Sequence, residues 1–407
     1  MVDPAERPQA VAVDPAGNVL IVGERFAGEN VVSAFSVMKL DPEGQPIWSR
    51  TYGDGAFTDS YRITAAADQA GNLVVAGELV GAGDFGGISL AAVGLGDAFV
   101  LKLDGNGDAI WGRTFGSTET VMVPGVEGEP PSEQKVATGA SDVAVDAQGN
   151  VILVGQFEAH VDFGLGPVDA AAGDDFVVAL DAADGATRWV RQLDQAWFPQ
   201  VTTDPSGAVI LGASAYAPGT SSGVTVTKID AAGGQLWRQT LPGAILSGVS
   251  GIATDAAGDI VLTGSLGGQP LDFGDGPISS VGEADVYVAK LSPDGDAIWS
   301  SLYGGTDFVA NSRLVVDASG GVILAAECRG IASLRGLPVL AAIDGWGVCV
   351  VRLDAEGKPL ATTSFSTAAS DQVLDMALTH DGNPILVGQS VDQTSGDVAG
   401  YRAIMSL

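Results

Sequence analysis

Positive charge is scarce in this chain. Of 407 residues only 19 are Lys or Arg, against 50 Asp or Glu, which leaves a net charge of −31 at neutral pH. Attraction to a phosphate backbone or an anionic lipid surface needs clustered cations, and no basic run occurs anywhere. Nucleic acid is therefore excluded as a partner. Histidine and cysteine are almost missing: His160, His380, Cys328 and Cys349 are all there is. That is too little for a Cys/His zinc centre. No uncharged run approaches the roughly 18 residues of a spanning helix, and Met1 to Pro8 holds no apolar signal core. No membrane insertion is expected. Very low lysine with abundant aspartate and glycine suits an exported protein, extracellular, periplasmic or at a cell surface, whose signal or lipid anchor is not part of this chain.

Turn formers, by contrast, are plentiful: 57 Gly and 19 Pro in a chain that is 46% hydrophobic. Such a chain is too apolar for disorder and reverses direction often. The turns recur. Ala12-Val-Asp-Pro-Ala-Gly-Asn-Val-Leu-Ile-Val-Gly23 returns in six further copies whose turn glycines are Gly71, Gly149, Gly207, Gly258, Gly320 and Gly382. Counted from Gly17 they lie 51 to 62 residues apart, except for one interval of 78 residues that carries an insertion at 115–141. Each unit has a second half, such as Phe99-Val-Leu-Lys-Leu-Asp-Gly-Asn-Gly-Asp-Ala-Ile-Trp111, in which an apolar run, a Gly turn and a Trp strand follow one another.

Four short strands per unit, joined pairwise by Asp-x-x-Gly turns, make a sheet that cannot bury both faces alone. Seven such sheets stacked radially form an all-β, seven-bladed β-propeller with four-stranded antiparallel blades. A linear solenoid would want a shorter and more constant period. One domain over residues 1–407 is expected, with blades near 10–53, 62–116, 142–193, 200–242, 250–304, 313–366 and 373–407. The last unit stops at Leu407 and lacks its own fourth strand, so residues 1–9 are expected to supply it and close the ring.

The pattern Gly96-Asp-Ala-Phe-Val-Leu-Lys-Leu-Asp-x-x-Gly-x-x-x-Trp111 resembles the SBBP-type bacterial seven-bladed propeller repeat, and the likeness runs along nearly the whole chain. The resemblance implies the fold and an exported or surface setting; it implies no reaction. NHL-type repeats share the Asp-x-x-Gly-Asn turn, but their units are shorter and generally lack the Trp strand.

A propeller places the first-to-second and third-to-fourth connections on one face and the remaining connections on the other. Here the first kind are all tight Asp-x-x-Gly turns, which predicts a smooth acidic face. The second kind are long, and binding residues concentrate on long loops carried by a rigid scaffold. Three of these loops repeat Asp-Phe-Gly at Asp84, Asp162 and Asp272. One reading has the three carboxylates hold a structural Ca²⁺, which favours oxygen ligands in Gly-rich loops. The other has each Asp cap its own turn while the Phe plugs the gap between blades. No cofactor is required under either.

Further candidates for the loop-rich face and the channel mouth are Trp197 and Phe198, Trp346, and the starts of the inner strands: Tyr61, Arg62, Asp142, Gln200, Arg313 and Asp375. The recurrent Trp48, Trp111, Trp189, Trp237 and Trp299 read as packing between blades. Cys328 ends one strand and Cys349 opens the next, which allows a disulfide across their loop or two buried thiols. His160 and His380 fall on opposite faces and share no site. No Ser-His-Asp set, Glu pair or His cluster accompanies these residues. The sequence thus favours a non-enzymatic, monomeric binding or scaffold module with a protein or glycan partner. A channel-mouth hydrolase or lyase, with or without Ca²⁺, and a structural spacer in a larger surface protein are the alternatives.

Overall fold

The computed structural model describes residues 6–28, 31–57, 63–123, 132–170, 174–193, 196–215, 223–243, 248–282, 284–305, 309–329, 331–334, 337–340, 346–367, 370–392, 395 and 397–405. Every element among them is a β-strand. The first blade orders Glu6–Val13, Val19–Gly28, Val31–Leu40 and Pro46–Tyr52 from inside to outside, each antiparallel to the next. The same order repeats in blades whose inner strands are Thr64–Ala67, Thr138–Val145, Ala196–Thr203, Gly251–Thr254 and Val309–Val316. A seventh sheet, Ser370–Leu378, Pro384–Val391 and Val398–Ile404, has three strands among the described residues. Seven sheets ringing one axis make a seven-bladed β-propeller.

The two middle strands of a blade are covered on both faces by its neighbours, so they read as unbroken apolar runs instead of alternating ones. Leu73–Leu79 and Asp97–Leu103 are buried almost throughout, whereas the outer strand Pro46–Tyr52 is largely exposed. The repeated turn also follows from its residues. Asp14 Oδ1 accepts the backbone N–H groups of Ala16 and Asn18 at 3.0 and 2.8 Å, and Gly17 takes the left-handed φ of 83° that side chains resist. In several blades a glycine within the second strand has a different task. A Cβ on Gly155 would lie 2.0 Å from Gly139 O, and one on Gly388 2.0 Å from Gln372 O. The inner strand's backbone occupies that space.

Two boundaries differ from expectation. Inner strands begin earlier than the apolar alternation suggests, because register shifts interrupt them at Pro8/Ala10, Ala140/Asp142, Trp197/Gln200, Ala310/Arg313 and Val373/Asp375. A bulge inserts extra residues and breaks the period of two, so the stretch before it looks like loop. The second correction concerns closure. Residues 6–9 do not form the outer strand of the seventh blade; Glu6, Arg7 and Pro8 pair with Arg25, Glu24 and Gly23 inside the first. Residues 1–5 lie outside the described residues. Blades seven and one close instead by packing Ile385 and Val387 against Val11, Val19 and Ile21. The insertion at 115–141 is also more than loop, since Thr120–Val123 pairs with Ser132–Lys135 as a hairpin.

Candidate functional site: the axial ring and the loop-rich face

One residue of each inner strand lines the axis, directly after a register shift in five of the seven. Register equivalence places Ala10, Thr64, Asp142, Gln200, Gly251, Arg313 and Asp375 at the same level, opposite Val22, Ala76, Val154, Gly212, Thr263, Ala325 and Val387. They surround an axial cavity of about 460 Å³. Four of the candidates read from the sequence, Asp142, Gln200, Arg313 and Asp375, therefore do meet. Thr64 holds the second blade's place in this ring and was not singled out; a four-residue strand of small residues gives little signal. Tyr61 and Arg62 lie outside the described residues.

The charged members of the ring tie neighbouring blades. Asp142 Oδ2 accepts Val201 N–H from the fourth blade at 2.9 Å, and its Oδ1 accepts the Thr64 hydroxyl from the second at 3.1 Å. Asp375 Oδ2 accepts Val11 N–H at 2.8 Å. Arg313 Nε donates to Leu374 O at 2.7 Å, and a terminal nitrogen donates to Ser250 O at 3.3 Å. Burial raises both carboxyls, Asp375 to about 6, although hydrogen bonds from backbone N–H groups and the charge of Arg313 pull each the other way. Chemically the ring can orient a polar or charged group on the axis. Its oxygens are already engaged with backbone donors, which is the work of positioning strands.

The loops of the opposite kind are built outward from the same scaffold. Asp162 Oδ1 accepts Gly164 and Gly166 N–H at 2.7 and 3.0 Å, Asp272 Oδ1 accepts Gly274 and Gly276 at 2.8 and 3.2 Å, and Asp84 Oδ1 accepts Gly87 at 3.1 Å. Each caps its own turn. The partner phenylalanines are buried between blades: Phe85 stands 6.1 Å from Phe35 of the first blade and 5.8 Å from Phe99 of the second, ring centre to ring centre. Phe163 stands in the same way between Phe115 and Phe176. Among the described residues no three His, Cys, Asp or Glu side chains converge as a metal set.

Trp197 pairs with Ser214 at the head of the fourth inner strand, and its neighbour Phe198 adopts φ 50° within the bulge, 52% exposed. Trp346 is half-buried, and its carbonyl accepts Asp371 N–H at 3.1 Å, linking blade six to blade seven. Cys328 and Cys349 form a disulfide whose Cα atoms are 6.1 Å apart. His160 lies 3.0 Å from both Glu119 and Asp169, so it fastens the base of the inserted hairpin to the third blade's loop.

On the face with the tight turns, four first-turn aspartates are paired with lysines. Asp14, Asp68, Asp204 and Asp255 are all less than a tenth exposed and meet Lys39, Lys102, Lys228 and Lys290 at 2.8–2.9 Å. The lysine of each Lys-Leu-Asp segment was the missed signal. The Trp stripe behaves as packing: Trp48, Trp111, Trp189, Trp237 and Trp299 each donate Nε1–H to a turn carbonyl of the following blade at 3.0–3.2 Å.

Fold and ring together define a seven-bladed β-propeller, an architecture that commonly serves as a binding or scaffold module. No protein-family model matches the chain, and no curated protein sequence matches it significantly. Among solved structures it is similar to BamB from Moraxella catarrhalis, at 15% identity and TM-score 0.41 over 97% of this chain and 85% of that one. It is also similar to the Dos1 propeller (10%, 0.46, 98% and 92%) and to the Pan2 WD40 domain of Neurospora crassa (11%, 0.47, 99% and 91%). Likeness at this level concerns the fold and carries no argument about activity.

Proposed function

We propose that this chain is a non-enzymatic binding module, exported or at a cell surface, that engages a protein partner through its loop-rich face. The observation behind this reading is the set of exposed apolar tips on that face: Leu95 at 57%, Leu165 at 59%, Phe198 at 52% and Val281 at 71%. Three come from separate second-to-third connections and Phe198 from the bulge of the fourth inner strand. Leu165 sits within the Asp162 turn, while Leu95 N–H donates to Val136 O and Val281 N–H to Asp285 Oδ2. Large apolar side chains cost free energy in water, and apolar anchors set in a polar surround are what protein interfaces use. Three of the four are aliphatic, which favours a protein over a glycan, whose rings stack on aromatic platforms. The resemblance to SBBP-type repeats fits the same setting. The axial carboxylates, bound to backbone N–H groups, favour a strand-positioning role over a hydrolase or lyase.

The test is a screen of protein and glycan arrays followed by the fourfold variant Leu95→Ser, Leu165→Ser, Phe198→Ser, Val281→Ser. A protein ligand whose binding drops at least tenfold in the variant, with Tm unchanged, is the expected result. Ligands confined to the glycan array, binding untouched by the variant, or turnover abolished by Asp142→Ala would each overturn it.

A further inference from the structure

One blade keeps half of an ion pair. In blades one and two the first-turn aspartate has a fixed set of partners: two backbone N–H groups on Oδ1, and on Oδ2 an asparagine amide at 2.8 Å with a lysine ammonium at 2.9 Å. The lysine reaches on to carbonyls of the next blade; Lys102 donates to Gly149 O and Ala182 O at 3.1 and 3.2 Å. Blades four and five use Lys228 and Lys290, and blade six uses Arg352 against Asp317. Blade seven drops both partners at once, with Thr379 in the aspartate's place and Ile404 in the lysine's.

Blade three drops only the cation. Asp146 is 7% exposed and retains Gln148 N–H, Asn150 N–H and the Asn150 amide at 2.8–2.9 Å. Opposite it, where Lys102 stands in blade two, is Ala179. The space left is a cavity of about 320 Å³ between blades three and four, lined by Asp146, Asn150, Trp189, Gly207 and Ala231. Gly207 and Ala231 are the register equivalents of the two residues whose carbonyls hold Lys102. The nearby cation, Arg188, sits at the rim about half exposed, on Asn150 Oδ1 and Asp181 at 3.3 Å.

We propose that this slot binds a primary ammonium group from outside the chain, on a free amine or a lysine side chain. Three features match that chemistry. A buried carboxylate with an oxygen otherwise used for an ammonium supplies the charge, carbonyls across the blade junction supply acceptors, and the Trp189 ring that lines the wall favours a cation. The site lies on the tight-turn face and stands independently of the loop-face reading.

The experiment measures Tm of the full chain in n-butylammonium chloride, in a blocked lysyl peptide, and in equal potassium or tetramethylammonium chloride. The expected result is a Tm rise on the order of 1 °C with butylammonium over the two control salts, lost in Ala179→Lys, which brings its own ammonium, and in Asp146→Asn. A rise with the peptide as well identifies a protein-borne lysine as an acceptable source; a rise with butylammonium alone identifies a small amine. Equal response to potassium, a response that survives in Ala179→Lys, or no response in the wild type would overturn the proposal. So would a response seen only in Arg188→Ala, since the slot is then filled by the chain's own guanidinium.

Discussion

Asp375 Oδ2 accepts the backbone N–H of Val11 across 364 residues of sequence. This bond spans the seam between the seventh and first blades, alongside the apolar packing of Ile385 and Val387 on Val11, Val19 and Ile21. Removing a charged acceptor from a half-buried N–H costs about 1–3 kcal/mol. Asp375→Ala is therefore expected to lower unfolding free energy by that amount in urea titrations. Leaving the midpoint unchanged would show that packing alone holds the seam.

Stability should depend on pH in an unusual sense. Burial pushes Glu24, Glu78 and Glu327 up to about 7 and Asp175 to about 8, with Asp97 adding to Glu78 and Asp174 to Asp175; Asp375 reaches about 6. These groups hold protons in the folded state that the unfolded chain, with values of 3.8 to 4.5, has already released. Stability therefore falls as pH rises through roughly 4 to 8. At Asp14, Asp68, Asp204, Asp255 and Asp317 burial pushes upward, but hydrogen bonds and neighbouring cations outweigh it and hold the groups low. Their contribution is present above 3.8 and is lost as pH falls through the depressed folded values. Calorimetric Tm should peak on the acid side, between about pH 4 and 6. A Tm that climbs to pH 8 would contradict this assignment.

Lys102 and Asp68 offer a double-mutant test. Lys102→Ile leaves a buried carboxylate without its cation and should cost about 3 kcal/mol. Adding Asp68→Thr installs the pair that the seventh blade uses and should recover a large part of that loss. Additive losses in the two single variants would show that the groups are not coupled.

The Cys328–Cys349 bridge closes a separation of 21 residues around the sixth blade's long loop. Replacing both cysteines by alanine should cost about 2–4 kcal/mol through the unfolded state. Comparing the double variant with reduced wild type by denaturant titration checks this; equal stability of all three forms would refute it.

His160 is exposed, and its hydrogen bond to Glu119, reinforced by the charge of Asp169, raises its pKa above the ordinary 6.5. The stabilising effect is complete below 6.5 and disappears as pH rises through the folded value. NMR titration of the ring should show the upward displacement, and Glu119→Gln should reduce it. A ring titrating at the ordinary value in the wild type would show that the hairpin is not fastened there.

The fold was legible because its periodic parts are local. An aspartate that bonds the amides two and four residues ahead leaves the same mark in six copies, a glycine needed at positive φ in all seven, and Trp111 and its counterparts fall at one place in five units. What escaped notice depends on partners remote in sequence. Bulges at Asp142 and Asp375 hide the beginnings of inner strands, because extra residues destroy the alternation that identifies a strand. Lys102 looks like a surface residue until the Gly149 and Ala182 carbonyls of the next blade enclose it. The first nine residues resembled a spare outer strand, yet Arg7 and Pro8 follow from the bulge that extends the first inner strand backward. The axial ring was half visible: its charged members stood out, while Thr64 and Gly251 were silent.

The bonds from Trp48, Trp111, Trp189, Trp237 and Trp299 all point the same way around the ring. Blades one to five therefore each grip the next blade by that blade's third-to-fourth turn, and none of these five bonds holds a preceding blade. Damage should then spread with a hand: loosening the turn at Ala182 frees Trp111 in the blade before it, whereas Trp189, one blade on, keeps its hold on Ala231. Amide exchange after a turn substitution would accordingly quicken upstream along the chain.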